Sequence, residues 1–229
     1  MSSEIPPVRP DPAAATKLQI LATEHWSLLA TRSLTYTELL ARVNIFLAIL
    51  SGAVIALALV AQADRFGTTF VVVAIPVLLV VLFAGIATIS RLSTLNRDDY
   101  RWVLGMNRLR HAYLELHPEL EPYFITAVHD DLPGVLQTLG IDDGRVSRRV
   151  GSIGHLVNTL PGMLTAIVAA VAGAIVALIG VGLGLAWLIT ALLTATGFLI
   201  ALVLIMLFER RSVRRVPATL EPRFRAPRS

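Results

Sequence analysis

The side chains best suited to chemistry in this chain are its acidic and histidine residues, and few are spaced for a reaction. The acidic clusters that could hold a hard cation are two short runs, His129–Asp131 and Asp142–Gly144. Carboxylates bind hard cations when oxygen ligands are spread along a loop, as in a calcium-binding loop. Neither run has that spacing, and Asp-Gly is more typical of a turn. We therefore expect neither a metal ion nor another cofactor.

Other catalytic motifs are also missing from the sequence. The five histidines show no i, i+4 pair of the kind that binds zinc. Because there is no cysteine, disulfides, thiolate metal sites and cysteine nucleophiles are excluded. The chain has no phosphate-binding loop, no glycine-rich dinucleotide fingerprint and no nucleophile elbow. We expect a protein that is not an enzyme.

The sequence as a whole is dominated by long apolar tracts. Hydrophobic residues make up 55% of the chain and charged residues only 16%. A helix that crosses a bilayer needs roughly 20 apolar residues. Residues 44–62 and 68–90 are two such tracts, and residues 155–208 contain no ionisable side chain except His155. With a reversal at Gly180–Gly184, the pattern predicts an all-α integral membrane protein with four transmembrane helices in two hairpins.

Within these spans the polar residues are small and uncharged. The absence of ionisable side chains argues against a proton-coupled transporter, because such residues usually mark ion and proton pathways. Small residues four apart favour close helix packing, whereas hydroxyl and amide groups can also line a narrow pore. Packing is the interpretation that we favour. The candidates for either role are Asn44, Ser51, Gly52, Thr190 and Thr194.

The basic residues predict the orientation in the membrane. Segments that stay in the cytoplasm retain Lys and Arg near the ends of spans. If both termini are inside, Arg65 is the one basic residue of the twenty that lies in an outer turn. This distribution predicts a multi-pass protein with cytoplasmic N and C termini. The nineteen Arg against one Lys are typical of a GC-rich bacterial genome, so we expect the membrane to be the bacterial inner membrane. The outer connections are then only short turns.

Outside the spans the sequence predicts long helical extensions. Residues 13–43 contain no Pro or Gly, which favours one helix that runs directly into the first span. After the second span, seam positions recur with heptad spacing: Leu92, Leu95, Asp99, Trp102, Met106, Leu109, Tyr113 and Leu116. Asp99 is the polar exception, and we expect the exposed faces of this helix to carry the charged residues Arg97, Arg101, Arg108, Arg110 and Glu115. We interpret Asp99 as a residue that fixes helix register, with an ion pair to a neighbouring Arg such as Arg32 as the alternative.

The predicted segments follow from these patterns. They are a disordered lead over 1–12, a cytoplasmic amphipathic helix over 13–43, a hairpin over 44–90, a cytoplasmic helix and connector over 91–155, a second hairpin over 156–208 and a basic tail over 209–229. A short helix is expected at Leu132–Leu139. The Arg-rich tail favours contact with anionic lipid and not with nucleic acid, because it has one aromatic residue and no recognition motif.

Part of this architecture resembles a known class of membrane proteins. The order of amphipathic helix, two-span hairpin and cytoplasmic helix over Lys17 to Leu116 is similar to that of SLATT-type membrane effectors. That resemblance implies a pore-forming activity. The stretch Arg101–Arg108 also resembles small multi-span membrane proteins of high-GC bacteria, a similarity that implies no activity.

The sequence thus leads to two functional expectations. The first is an oligomeric, pore- or channel-like protein, a homo-oligomer whose cytoplasmic helices hold the subunits together. The alternative is a non-catalytic accessory or structural subunit of a larger membrane complex. Either way the lipid bilayer is a partner.

Overall fold

The computed structural model describes residues 12–140, 160–214 and 221–226, and these are almost entirely helical. The helices are α1 (Pro12–Asp64), α2 (Thr68–Leu116), α3 (Leu132–Thr138), α4 (Leu160–Gly182) and α5 (Trp187–Arg214). A 3-10 helix lies at Pro118–Tyr123. Residues 1–11 of the predicted lead, the acidic run at 142–144 and the segment entering the third span fall outside the described residues, and Pro12, the last residue of that lead, begins α1.

Four of these helices are long and apolar enough to cross a bilayer, so the chain is a membrane protein. They are α1, α2, α4 and the stretch Trp187–Glu209 of α5. Helix α1 has 53 residues and α2 has 49, about twice the number that a bilayer core requires. The expected continuity is therefore present, because each helix joins an apolar tract to a stretch that contains charged residues, without interruption. Helix α2 also continues through Pro76.

A tight turn connects α1 to α2. Arg65 and Phe66 adopt positive φ angles of 49° and 61°. The backbone N–H of Gly67 donates to the Asp64 carbonyl oxygen at 2.9 Å, and the Asp64 carboxylate accepts from the N–H of Phe70 at 2.7 Å. Asp64 thus closes the turn and satisfies a free N–H in the first turn of α2. The turn lies at the position that the sequence predicts.

Helix α3 forms where the sequence predicts a short helix. Asp131 is its N-cap, and its carboxylate accepts from the N–H of Gly134 at 3.0 Å. Pro133 follows in the first turn, where a missing N–H costs nothing. The α3 residue Val135 is fully buried against Val103 and Leu104 of α2. This small apolar cluster holds α3 on α2.

Helices α4 and α5 pack against each other through small residues. Gly180 faces Thr190, and Gly173 faces the backbone of Thr194 at the next level. The reversal between the helices is shorter than expected, because α4 continues to Gly182 and includes Gly180. Of the three glycines in the predicted turn, Gly184 is the one with a positive φ angle, 69°.

The chain divides into two compact units. The first contains Met1–Thr35, Asp98–Val146 and Ala218–Ser229, and the second contains Tyr36–Arg97 and Ser147–Pro217. The second unit has an apolar core in which Phe46 of α1, Val81 of α2 and Val168 of α4 are 1% exposed. Gly85 permits this contact, since a Cβ there would lie 2.5 Å from Val168. The first unit combines the apolar cluster around Val135 with the buried polar side chains of Asn107, Arg110 and Asp130.

Candidate functional site

The densest polar arrangement in the first unit surrounds a buried carboxylate. Asp130 has no solvent exposure, and it accepts a hydrogen bond from Arg108 Nε at 2.7 Å. It also accepts from the backbone N–H groups of Arg223 at 2.9 Å and Phe224 at 2.7 Å. Burial alone would raise the pKa of Asp130, but the three donors outweigh burial and the pKa is lowered. Asp130 is therefore ionised at neutral pH.

The backbone donors to Asp130 belong to a segment that follows α5 in the sequence, Glu221–Ala226, which we call the C-terminal strap. The Asp130 N–H donates to the Phe224 carbonyl oxygen at 3.1 Å, so both backbone groups of Phe224 are bound to Asp130. Asp131 accepts from the N–H of Ala226 at 2.9 Å. Arg108 Nη2 donates to the Glu221 carbonyl oxygen at 2.8 Å. The site thus holds the strap mainly by its main chain.

One side chain of the strap makes a specific contact. The ring of Phe224 stacks on the imidazole of His111, with centroids 4.1 Å apart and planes inclined by 26°. Phe224 is partly buried, whereas the neighbouring Arg223 and Arg225 are exposed. The strap is therefore anchored by one aromatic ring between two arginines.

A second buried polar residue connects α2 to the segment that carries Asp130. Asn107 is fully buried, and its Nδ2 donates to the His129 carbonyl oxygen at 2.9 Å. Its Oδ1 accepts from Arg110 Nη1 at 2.8 Å and from Thr138 Oγ1 at 3.0 Å. The Asn107 amide thus links α2 to α3 and to the segment that carries His129. This arrangement positions Asp130 beside Arg108, one residue further along α2.

Asp99 makes the ion pair that the sequence analysis treated as the alternative. Arg32 Nε and Nη2 donate to the two carboxylate oxygens of Asp99 at 2.7 and 3.3 Å. The Arg32 and Asp99 side chains are 20% and 14% exposed. The contact joins α1 to α2 within one chain, as do Leu28 against Gly105 and the stacked rings of His25 and Tyr113.

The heptad pattern was wrong about one face of α2. It placed Arg110 on an exposed face, but the Arg110 residue is 9% exposed. The side chain lies beside Asn107, on the face where α3 and the His129 backbone contact α2. Burial, and then the charge of Arg32, lower the pKa of Arg110. His25 lies nearby, and burial followed by the charge of Arg110 lowers its pKa.

None of the eight predicted seam positions is exposed. Three of them are buried and five are partly buried, with no regular alternation along α2. Buried are Leu92, Leu95 and Met106, and partly buried are Asp99, Trp102, Leu109, Tyr113 and Leu116. Leu92 and Leu95 lie in the second unit, and the other six seam positions lie in the first unit.

The structure separates the five candidates in the spans into two groups. Asn44, Ser51 and Gly52 lie on an exposed face of α1, and a Cβ added at Gly52 would meet no atom within 4 Å. The side chains of Asn44 and Ser51 make no hydrogen bond to any described residue. This face of α1 is therefore open in the single chain.

Thr190 and Thr194 lie instead where α5 contacts α4. A Cβ at Gly180 would lie 3.1 Å from Thr190 Oγ1, so only glycine fits without a shift. Thr194 Oγ1 donates to the Thr190 carbonyl oxygen at 2.8 Å, whereas the buried Thr190 Oγ1 has no partner among the described residues. Both threonines also border an open groove of about 980 Å³ along α4 and α5.

The acidic run His129–Asp131 is occupied by structural contacts. Asp130 binds Arg108 and the strap, and Asp131 caps α3. Among the described residues no group of three or more His, Asp or Glu side chains is placed to hold a metal ion. The strap was not predicted from the sequence. The one pattern that marks it there is a lone aromatic residue, Phe224, between prolines in a basic tail.

No protein-family model matches the chain, and neither curated proteins nor solved structures show a significant similarity to it.

Proposed function

We propose that the protein is an oligomeric, pore-like protein of the bacterial inner membrane, and that the open face of α1 forms its subunit interface. The observation that carries this proposal is the exposure of Asn44 and Ser51, seven residues apart, within an apolar span. Asn44 is the first residue of the apolar tract 44–62 and Ser51 lies inside it, where an unpaired hydroxyl lacks the hydrogen bonds that water would supply. Contact with another helix, or with an aqueous lumen, provides them.

The residues around Asn44 and Ser51 fit a self-association seam. Leu40, Leu47 and Val54 lie on the same face and are 54%, 38% and 56% exposed. Positions 40, 44, 47, 51 and 54 are thus separated alternately by four and three residues, which is the spacing of a coiled-coil seam. Polar residues at such positions select register and number of subunits. In an oligomer whose subunits share one orientation in the membrane, the Asn44 residues of all subunits lie at the same depth and can contact one another.

The proposal includes two hairpins, α1–α2 and α4–α5, with both termini and the first unit in the cytoplasm. The distribution of arginine supports this orientation, since Arg65 alone of the basic residues then lies outside. The chain has no native cysteine, so single-cysteine variants can be labelled without background. In intact cells an impermeant maleimide should label a cysteine at Phe66 and not one at Tyr123. The reverse pattern would refute the orientation.

The subunit interface is tested by cross-linking in native membranes. Asn44→Cys and Ser51→Cys should give disulfide-linked dimers on mild oxidation. Ile45→Cys and Ile49→Cys are matched controls, because both residues are exposed on other faces of the same span. Equal cross-linking at all four positions, or none at Asn44 and Ser51, would refute the α1 interface.

Pore activity needs a separate assay, since an interface alone moves no solute. Liposomes that contain the purified protein should release a small encapsulated ion, and Asn44→Leu should reduce the rate by at least tenfold. Ile45→Leu serves as the control. If Asn44→Cys cross-links but the liposomes release no ion at high protein density, the protein is an oligomer without pore activity.

A specific observation supports the alternative of an accessory subunit. Tyr123 and Ile125 of the connector are 79% and 94% exposed. The two residues are two positions apart, and exposed apolar side chains that form a contiguous patch mark protein-binding surfaces. Purification in mild detergent should then recover a second protein in stoichiometric amount. The variant Ile125→Asp should no longer co-purify with that protein. Recovery of this chain alone favours the pore.

A further inference from the structure

The contacts of the C-terminal strap have the character of peptide recognition. Five backbone groups of the strap are bound: the carbonyls of Glu221 and Phe224 and the N–H groups of Arg223, Phe224 and Ala226. Binding an extended segment by its main chain, with a pocket for one side chain, is a recurring mode of peptide binding. The aromatic anchor here is Phe224 on His111.

Charge and stiffness both suit this ligand. The site presents the carboxylates of Asp130 and Asp131, and the strap carries Arg223 and Arg225. Pro222 lies inside the strap and Pro227 directly follows it. Proline fixes φ near −65° and biases the preceding residue toward extended backbone, so less conformational entropy is lost when the strap binds.

We propose that Arg108, His111, Asp130 and Asp131 form a peptide-recognition site, and that the strap of the same chain is its resident and displaceable ligand. The strap lies beyond residues 215–220, which connect it to α5. The site thus holds a segment that follows the fourth candidate span in the sequence. This proposal stands independently of pore activity, since it concerns contacts within the first unit only.

Hydrogen exchange in the intact wild-type protein tests whether the strap is docked and whether it opens by itself. In lipid nanodiscs the amides of Arg223, Phe224 and Ala226 should exchange at least tenfold more slowly than that of Arg225, which has no hydrogen bond to a described residue. They should also exchange at least tenfold faster than the amide of Asn107 in α2. Rates equal to that of Arg225 would mean an undocked strap, and rates equal to that of Asn107 would mean a fixed one. Either result would overturn the proposal.

Competition with a synthetic peptide tests recognition directly. The probe is a fluorescent peptide with the sequence of residues 221–226, added to the full-length protein. The tethered strap competes at a millimolar effective concentration. The variant Phe224→Ala should therefore bind the probe at least tenfold more tightly than the wild type, and adding Asp130→Asn should abolish this gain. Equal binding by the wild type and Phe224→Ala would refute an exchangeable strap.

Methylated peptides provide a matched control that does not alter the protein. N-methylation at the amide equivalent to that of Phe224 removes a donor to Asp130 and should weaken binding at least tenfold. N-methylation at the amide equivalent to that of Arg225 should change binding by less than about threefold. Equal effects at the two positions would show that the main-chain contacts do not determine recognition.

Discussion

Replacing Asp99 with alanine removes the carboxylate that joins α1 to α2 in the first unit. Arg32 would keep its charge in a site where its side chain is 20% exposed. Arg32 makes at least one further contact, so a single substitution at that position removes more than this pair. A double-mutant cycle with Arg32→Ala, Asp99→Ala and the combined variant isolates the pairwise contribution.

The expected magnitude follows from geometry and exposure. Exposed ion pairs contribute about 0.2 to 1 kcal/mol, and removing one partner of a fully buried pair costs about 3 to 5 kcal/mol. The Arg32–Asp99 pair is two-pronged and its side chains are 20% and 14% exposed, which places it between these limits. We expect a coupling free energy of about 2 kcal/mol. The single variant Asp99→Ala loses this contribution and also leaves Arg32 without its partner, so for a chain of this size its Tm should fall by at least about 4 °C.

Thermal unfolding in detergent micelles, followed by tryptophan fluorescence, provides the assay. Asp98→Ala is the matched control, because Asp98 lies one residue away and its 3.6 Å pair with Arg101 is more exposed. It should shift Tm by less than about 2 °C. A coupling free energy below about 0.5 kcal/mol, or equal shifts for Asp98→Ala and Asp99→Ala, would refute the reasoning.

Three further predictions concern packing, pH and capping. Gly85→Val should destabilise the second unit by about 1 to 3 kcal/mol, because its Cβ would meet Val168 at 2.5 Å. Gly52→Ala meets no atom within 4 Å and replaces a helical glycine with a better helix former, so its Tm should not fall. Because burial and then Arg110 lower the pKa of His25, the folded state binds this proton less readily than the unfolded state, and stability is lost as pH falls through 6.5 and below. Thermal scans from pH 8 to 5 should show this loss, and a loss of the same size in His25→Phe would contradict it. Asp131→Ala should cost about 1 kcal/mol through the lost cap of α3, and Asp131→Asn should restore most of that stability, as thermal unfolding would show.

The long helices follow from the sequence because their signals are local. Residues 13–43 lack Pro and Gly and lead into an apolar tract, so nothing interrupts α1. The turn before α2 is also local, since Asp64 reaches only a few residues ahead. Asp131 before Leu132 and Pro133 similarly marks the start of α3. In each case the determining residues are close together in the chain.

The contacts that form the candidate site depend on distant residues and could not be obtained in this way. Arg32 and Asp99 are 67 residues apart, and the sequence does not specify the register between two long helices. Arg110 was placed on the wrong face because a heptad pattern ignores a connector that folds back on the helix. The strap contacts Asp130 from 94 residues away through backbone groups, which every sequence possesses. Only Phe224 distinguished that segment.

Electron microscopy of the protein in lipid nanodiscs tests the central claim most directly. The account predicts a closed ring of several subunits in which the α1 face carrying Asn44 and Ser51 lies at the subunit interface, around an axial opening. A single chain in the nanodisc, or a compact assembly in which that face of α1 points into lipid, would contradict the account.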